Sequence, residues 1–387
     1  MSQTASPRDI LARLVAFPTV SRDSNLDLVD WVEEWLDGHG IAAHRVWNED
    51  RTKAALYAHV GPEEPGGVVL SGHTDVVPVD GQVWASDPWV LTERDGRLYG
   101  RGAVDMKGFD ALALWAMAEA AREGVKRPLQ IALSFDEEVG CTGAPPMIDA
   151  MAAHLPRASA VLVGEPSMLK VVTGHKGGMG FATHIKGFEV HSSIMHTGVS
   201  AIHEAAELIV WANQVNRANR DAPPNPLAAV YDPPWTTLHV GQITGGTAHN
   251  ITAGDCRLGF DFRVVPGESM AEWEARYRAR VAEAEAAMKA VRAEAGIELS
   301  PYFRVPPLTA EENGAAESLA RRLTGDNGHH VVSYGTEAGQ FQERGYSAVV
   351  CGPGDIAQAH QPDEYITLAQ FEAGHDFMRR LLAGLRA

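Results

Sequence analysis

Four short apolar runs limit most strongly how this chain can fold. Residues 67–72, 129–135, 158–164 and 347–351 are each long enough for a buried strand and too short for an ordinary helix. Helical patterns lie between and after them: an Ala/Leu/Trp/Met-rich stretch at residues 106–122 and a C-terminal one at 368–385. Strands alternating with helices predict an α/β fold, a sheet covered by helices. At 387 residues the chain is long for one hydrophobic core, so two domains are expected.

The middle of the chain, residues 176–304, has a different order. Strand patterns at 179–186, 237–243 and 257–265 surround a helical pattern at 201–215. In 237–243, Leu238, Val240 and Gln242 alternate with His239, Gly241 and Ile243. A second helix opens on Ser269 with Glu272 three residues later, a capping-box spacing, and carries the stripe Trp273, Tyr277, Val281, Met288, Val291 before Gly296. A further strand completes a βαββαβ unit compact enough to be an inserted α+β domain. Residues 221–234 hold five prolines and read as an irregular connection within it.

Each of the four apolar runs leads into side chains that suit a metal. They lead to His73-Thr74-Asp75, Asp136-Glu137-Glu138, Glu165-Pro166-Ser167, and Gly352-Pro353-Gly354 followed by His360. The carboxyl ends of strands are where α/β sheets bind ligands, so residues distant in sequence can meet there. Asp105 sits in the glycine-rich junction Gly100–Gly108, where the backbone can turn sharply or approach closely. Two histidines with several carboxylates suit Zn²⁺, Co²⁺ or Mn²⁺ better than Cu(I) or an iron–sulfur cluster. Two such cations repel each other, and a carboxylate such as Asp105 can bridge them. Adjacent Glu137 and Glu138 can divide ligation from proton transfer. Asp75, two residues past His73, is placed to accept from the other imidazole nitrogen. A single His or Asp after a strand is usually a loop residue or a cap; five candidate ligands after strands and one glycine-rich turn are a pattern.

Other motifs fail. Gly100-Arg101-Gly102 does not complete a dinucleotide fingerprint, since position 105 is Asp. His203-Glu204 lacks the second zincin His, because position 207 is Glu. The net charge of −17 argues against nucleic acid or an anionic membrane as a partner. Cys141, Cys256 and Cys351 are too few and scattered for a disulfide framework, which predicts a reducing cytoplasm. The Met1-Ser2-Gln3-Thr4 start runs into an amphipathic pattern at Ile10, Leu11, Leu14 and Val15, with no export signal expected, and no apolar run reaches membrane-spanning length.

In order and spacing, Ser71–Asp75, Gly100–Gly108, Asp136–Gly140, Gly164–Ser167 and Ala359-His360 resemble the M20 family of metallo-amidohydrolases and peptidases. The resemblance implies a mixed-sheet, di-zinc exopeptidase-like catalytic domain (residues 1–175 and 305–387) with an inserted lid and dimerisation domain (176–304), and two zinc or cobalt ions. His73, Asp105 and Glu165 would hold one ion, and Asp105, Glu138 and His360 the other. Glu137 would be the general base, Asp75 would support His73, and the Asp105–Met106 peptide would be cis. In the lid, His191 would reach the substrate carbonyl, in some members from a partner subunit. Asn250 and Arg263 would bind the substrate carboxylate, for which a guanidinium fork is a natural partner. Glu at position 165 leans toward deacylases and carboxypeptidases. The stretches 335–342 and 352–365, which include Glu337 and Gly352 as further substrate-binding candidates, are most similar to the branch that deacetylates N-acetyl-L-ornithine. Desuccinylation of succinyl-diaminopimelate, release of glutamate and broad N-acyl-amino-acid hydrolysis are the rival activities. A non-catalytic binding protein is the rival from another class, but it has no need of Glu137.

Overall fold

The apolar runs form strands within two residues of their expected bounds, in a computed structural model that describes residues 5–387. The Met1–Thr4 start, on which the expectation of no export signal partly rests, lies outside the described residues. The chain divides into two compact units. One runs to Gly174 and includes Ala310–Val331 and Thr336–Ala387; the other is His175–Thr309 with Val332–Gly335.

Helix α1 (Pro7–Val15) opens the first unit with a complete capping box between Ser6 and Asp9 and buries Ile10, Leu11, Leu14 and Val15. After α2 (Leu26–Asp37), strands β1 (Ala43–Trp47), β2 (Ala54–Val60) and β3 (Val68–His73) follow. Short strands β4 (Thr92–Arg94) and β5 (Arg97–Tyr99) lead into α3 (Lys107–Glu123). Next come β6 (Leu129–Ser134), α4 (Ala144–His154), β7 (Ala160–Pro166) and β8 (Val172–His175). The second unit supplies β9 (Gly177–Lys186), α5 (Ala201–Asp221), β10 (Thr237–Gly245), β11 (Asp255–Val264), α6 (Met270–Val291) and β12 (Gly296–Val305). The chain ends with α7 (Ala315–Thr324), β13 (His330–Val332), α8 (Ala338–Glu343), β14 (Ala348–Gly352), β15 (Tyr365–Thr367) and α9 (Leu368–Arg386).

The main sheet has eight strands in the order β1-β2-β6-β3-β7-β14-β8-β13. Its middle four, β6, β3, β7 and β14, are parallel, while β2 and β8 run antiparallel beside them. Four carboxyl ends therefore open at one edge. Helix α3 packs on β3 and β6 and against α1 and α9. Nearly every residue from Lys107 to Ala120 is buried, as in a helix enclosed on all sides. Full burial of Phe109, Leu112 or Met117 contributes about 1.5–3 kcal/mol apiece.

The second unit is a four-stranded antiparallel sheet, β10-β11-β9-β12, in the βαββαβ order. Its core joins Phe181, Phe260, Phe262, Trp273 and Tyr277. Ser269 caps α6 by accepting from the Glu272 N–H. Two details depart from the sequence pattern. A bulge between Val240 and Gln242 leaves Gly241 unpaired, which breaks the strict alternation expected of β10. Val291, in the last turn of α6, lies beyond the core and is 49% exposed.

Candidate metal centre

The parallel strands deliver their terminal side chains to one place. His73 is the last residue of β3, Glu165 is the next-to-last residue of β7, and Glu137 and Glu138 follow β6. Two glycines allow helix α3 to press directly beneath them. A Cβ on Gly72 would lie 2.1 Å from Asp110 Oδ1, and one on Gly164 would lie 2.0 Å from Phe109 Cγ. Each glycine immediately precedes a candidate ligand, so the close approach of α3 is coupled to where His73 and Glu165 emerge.

Asp105 lies between the two histidines. Its Oδ1 is 3.2 Å from His73 Nε2, and its Oδ2 is 3.2 Å from His360 Nε2. His73 Nε2 is also 3.6 Å from Glu165 Oε1, and His360 Nε2 is 3.1 Å from Glu138 Oε2. One carboxylate thus offers an oxygen to each of two donor sets. The ligand atoms of His73, Glu137 and Glu165 all fall within 4.8 Å of one another, and so do those of His73, Asp105 and Glu138. The Asp105–Met106 peptide bond is cis, as the family pattern implies.

The electrostatics of the chain alone favour a cation here. Burial first, then repulsion from Glu138 and Asp105, holds the Glu137 carboxyl well above its usual range. Burial and Asp105 push Glu138 up to about 7, and burial with Asp105 and Glu137 raises Glu165. Hydrogen bonds that its ring donates to Asp105 and Glu138 raise His360 to about 10. The buried oxygens Glu138 Oε1 and Glu165 Oε1 accept no hydrogen bond. Such crowding of acids is costly unless positive charge is shared among them. The donor set and these two orphaned oxygens fit a pair of divalent cations.

Asp75 supports the site in a way its sequence position does not reveal. His73 Nδ1 donates to the main-chain carbonyl of Asp75 at 2.9 Å, whereas the Asp75 carboxylate stands 3.6 Å away. A carbonyl only accepts, so the neutral ring carries its proton on Nδ1 and keeps the Nε2 lone pair for a ligand. The Asp75 carboxylate instead accepts from Ser21 Oγ (2.7 Å) and from the N–H groups of Glu137 (3.1 Å) and Glu138 (3.3 Å). It fixes the turn that carries both glutamates.

The remaining candidates have other neighbours. Glu337 is 1% exposed and accepts from the hydroxyls of Ser71 and Ser134, bracing the ends of β3 and β6. The Gly352 N–H donates to Ser167 Oγ at 3.1 Å. His191, Asn250 and Arg263 belong to the second unit. There the His191 ring contacts Ser193 Oγ at 2.8 Å, the Asn250 carbonyl accepts from the Ser192 N–H, and Arg263 pairs with Asp261 through Nε at 2.9 Å.

Sequence reasoning missed several residues around the centre. Ser21 had no motif to mark it. Cys141 Sγ lies 3.3 Å from Glu137 Oε1, a contact created by the tight turn after Glu137. Arg101 and Glu364 stood inside segments already notable for Asp105 and His360, and only the fold pairs them, at 2.6 Å.

A family model described as peptidase family M20/M25/M40 matches residues 69–384. The acetylornithine deacetylase of Myxococcus xanthus is 37% identical over 371 residues, covering 93% of this chain and 92% of that protein. That of Pasteurella multocida (strain Pm70) is 30% identical over 395 residues, covering 99% and 98% respectively. Among solved structures, an M20 family metallo-carboxypeptidase from Sulfolobus solfataricus shares the fold with a TM-score of 0.79 at 16% identity, over 98% of this chain and 99% of that one.

Proposed function

This chain belongs to peptidase family M20/M25/M40, and from that premise we propose that it hydrolyses N-acetyl-L-ornithine to L-ornithine and acetate. The observation that supports the substrate is 37% and 30% identity, over nearly the full length, to proteins named acetylornithine deacetylase. The metal ligands in this reading are His73, Asp105 and Glu165 on one side and Asp105, Glu138 and His360 on the other. Zinc or cobalt suits these nitrogen and carboxylate donors.

When bound, the two cations supply Lewis-acid polarisation of the scissile carbonyl and acidify a water. The side chains do the rest. Glu137, whose carboxyl is held above its usual range by burial and by the neighbouring Glu138 and Asp105, takes a proton from the attacking water and returns it to the leaving amine. Asp75 holds the Glu137 turn and the His73 ring. The proposal gives His191 the role of donating to the carbonyl oxygen as it gains charge, and gives Arg263 and Asn250 the substrate carboxylate. The negative net charge suits a cationic product such as ornithine.

Two further parts of the proposal concern setting. Three free, buried cysteines suit a reducing cytoplasm, and among the described residues no helix is long and apolar enough to cross a membrane. Pairing of two copies through the second unit is supported by its edge strand β10, where Ile243 is 50% exposed; sedimentation of the purified chain tests it.

The substrate test is a panel. Metal-loaded protein is given N-acetyl-L-ornithine, N-acetyl-L-methionine, N-succinyl-diaminopimelate and an acyl-glutamate, and amine release is followed. The highest kcat/KM is expected on acetylornithine. A higher value on any of the others rejects the ornithine assignment.

A further inference from the structure

Glu364 has no role in the chemistry described so far, yet few side chains here are bound more completely. It is 1% exposed and lies four residues past His360. Its Oε2 accepts from the Arg101 guanidinium at 2.6 Å and from the Gly102 N–H at 3.1 Å. Its Oε1 accepts from the N–H groups of Val104 at 2.9 Å and Asp105 at 3.1 Å. The Glu364 carbonyl in turn accepts from the Gly100 N–H at 3.0 Å. One residue therefore holds the segment from Gly100 to Asp105.

The contacts continue as a closed circuit. Arg101 reaches Gln82 Oε1 at 2.7 Å, and its guanidinium lies 5.1 Å over the Trp84 ring. Gln82 Nε2 then donates to the His360 carbonyl at 3.0 Å. The circuit joins the backbone of Asp105 to the backbone of His360 through Glu364, Arg101 and Gln82.

A buried Glu–Arg pair alone would support the fold and nothing more. Here three of the four donors to the carboxylate are main-chain N–H groups of one short loop, and the last belongs to the residue whose two oxygens face the two histidines. We propose that Glu364 is a positioning residue for the metal centre, setting the Asp105 loop so that Oδ1 and Oδ2 are divided between the His73 and His360 sides. The inference rests on the reading of Asp105 as a shared metal ligand. It requires a side chain whose two oxygens both accept. An amide would turn an NH₂ group toward N–H donors, and one pair of donors would lose its acceptor. Aspartate keeps the charge but is one methylene shorter, so it restores only part of the set.

The test compares the full-length wild type, Glu364→Gln and Glu364→Asp. Hydrogen exchange of the amides of residues 102–105 is measured without metal, Zn²⁺ and Co²⁺ affinities by equilibrium dialysis, and kcat and KM on the best acyl amino acid. In E364Q the amides of Val104 and Asp105 should exchange faster. Affinity for the more weakly held cation should fall about 10–100-fold, with kcat lowered and KM little changed, and E364D should recover part of each loss. If E364Q does not fold, Gln82→Leu, at the half-buried end of the circuit, should still weaken cation binding several-fold, and wild-type affinity there overturns the inference. A folded E364Q with wild-type exchange and two cations at wild-type affinity overturns it as well. A wild type that takes up no cation removes the metal reading and this inference together, whereas a wild type that binds two while E364Q matches it removes the inference alone.

Discussion

His73 and His360 present the same donor atom to the same carboxylate from two very different surroundings. His73 ends a central strand flanked by parallel neighbours on both sides, with its side chain 1% exposed and its Nδ1 tied to a carbonyl. His360 stands eight residues beyond β14, on a left-handed backbone with φ of 63°, and its side chain is 52% exposed. The buried half of the site is preorganised by the sheet. The outer half depends on a loop held by hydrogen bonds, through Gln82 and the Glu364 circuit. Precision comes from the first half and access from the second.

The largest expected effect tests whether the buried half carries proton transfer. Glu137→Gln should lower kcat by about 10²–10⁴-fold while metal content, measured by elemental analysis, stays at the wild-type level. Retained turnover would move the base elsewhere and break the division between the halves.

A smaller effect separates the two histidines. His360→Ala should keep one cation bound tightly and weaken the other by about 10–100-fold, whereas His73→Ala should weaken both, since His73 lies within 4.8 Å of ligand atoms in both donor groups, Glu137 with Glu165 and Asp105 with Glu138. Equal losses in the two variants, read by calorimetric titration with Zn²⁺, would mean that burial confers no difference in preorganisation.

The smallest effect is a pH drift in the metal-free chain. Glu138 is raised from 4.5 to about 7 in the fold, so the stability it contributes is complete below about pH 4.5 and is lost as pH rises through 7. His360 is raised from 6.5 to about 10, so its contribution is complete below about pH 6.5 and is lost as pH rises through 10. Asp75 and Asp105 are lowered and act in the opposite sense, but only under more acid conditions. The melting temperature of the metal-free chain should therefore decline from pH 5 to pH 7, below the range in which Lys107, lowered to about 7 by burial, acts in the opposite sense, and saturating Zn²⁺ should flatten that slope. A metal-free profile that rises over this range would contradict the crowding of acids at the site.

Much of this is legible in the sequence. Apolar runs of strand length placed His73, Glu137, Glu138 and Glu165 at strand ends, because a buried parallel strand has little freedom in where it stops. The α6 cap at Ser269 was legible for the same local reason. What stayed hidden depends on long-range approach. The roles of Gly72 and Gly164 appear only once α3 presses on them, and no pattern predicted that the Asp75 carboxylate would serve the Glu137 turn more directly than His73. The bulge at Gly241 escaped because alternation looks unbroken until the partner strand is in register. Glu364 escaped because its partners lie some 260 positions earlier.

The parallel pairing of β14 with β7 also has a consequence in time. Val161 waits for Ala348, and the whole second unit is translated between them. At about 5–20 residues per second, a ribosome separates the two strands by about ten to forty seconds. Through that interval the nascent chain exposes one flank of β7, an unpaired strand edge of the kind that invites wrong partners. His73, Asp105, Glu138 and Glu165 are already made while His360 does not yet exist. A cation captured early would meet an incomplete set of donors until His360 is made.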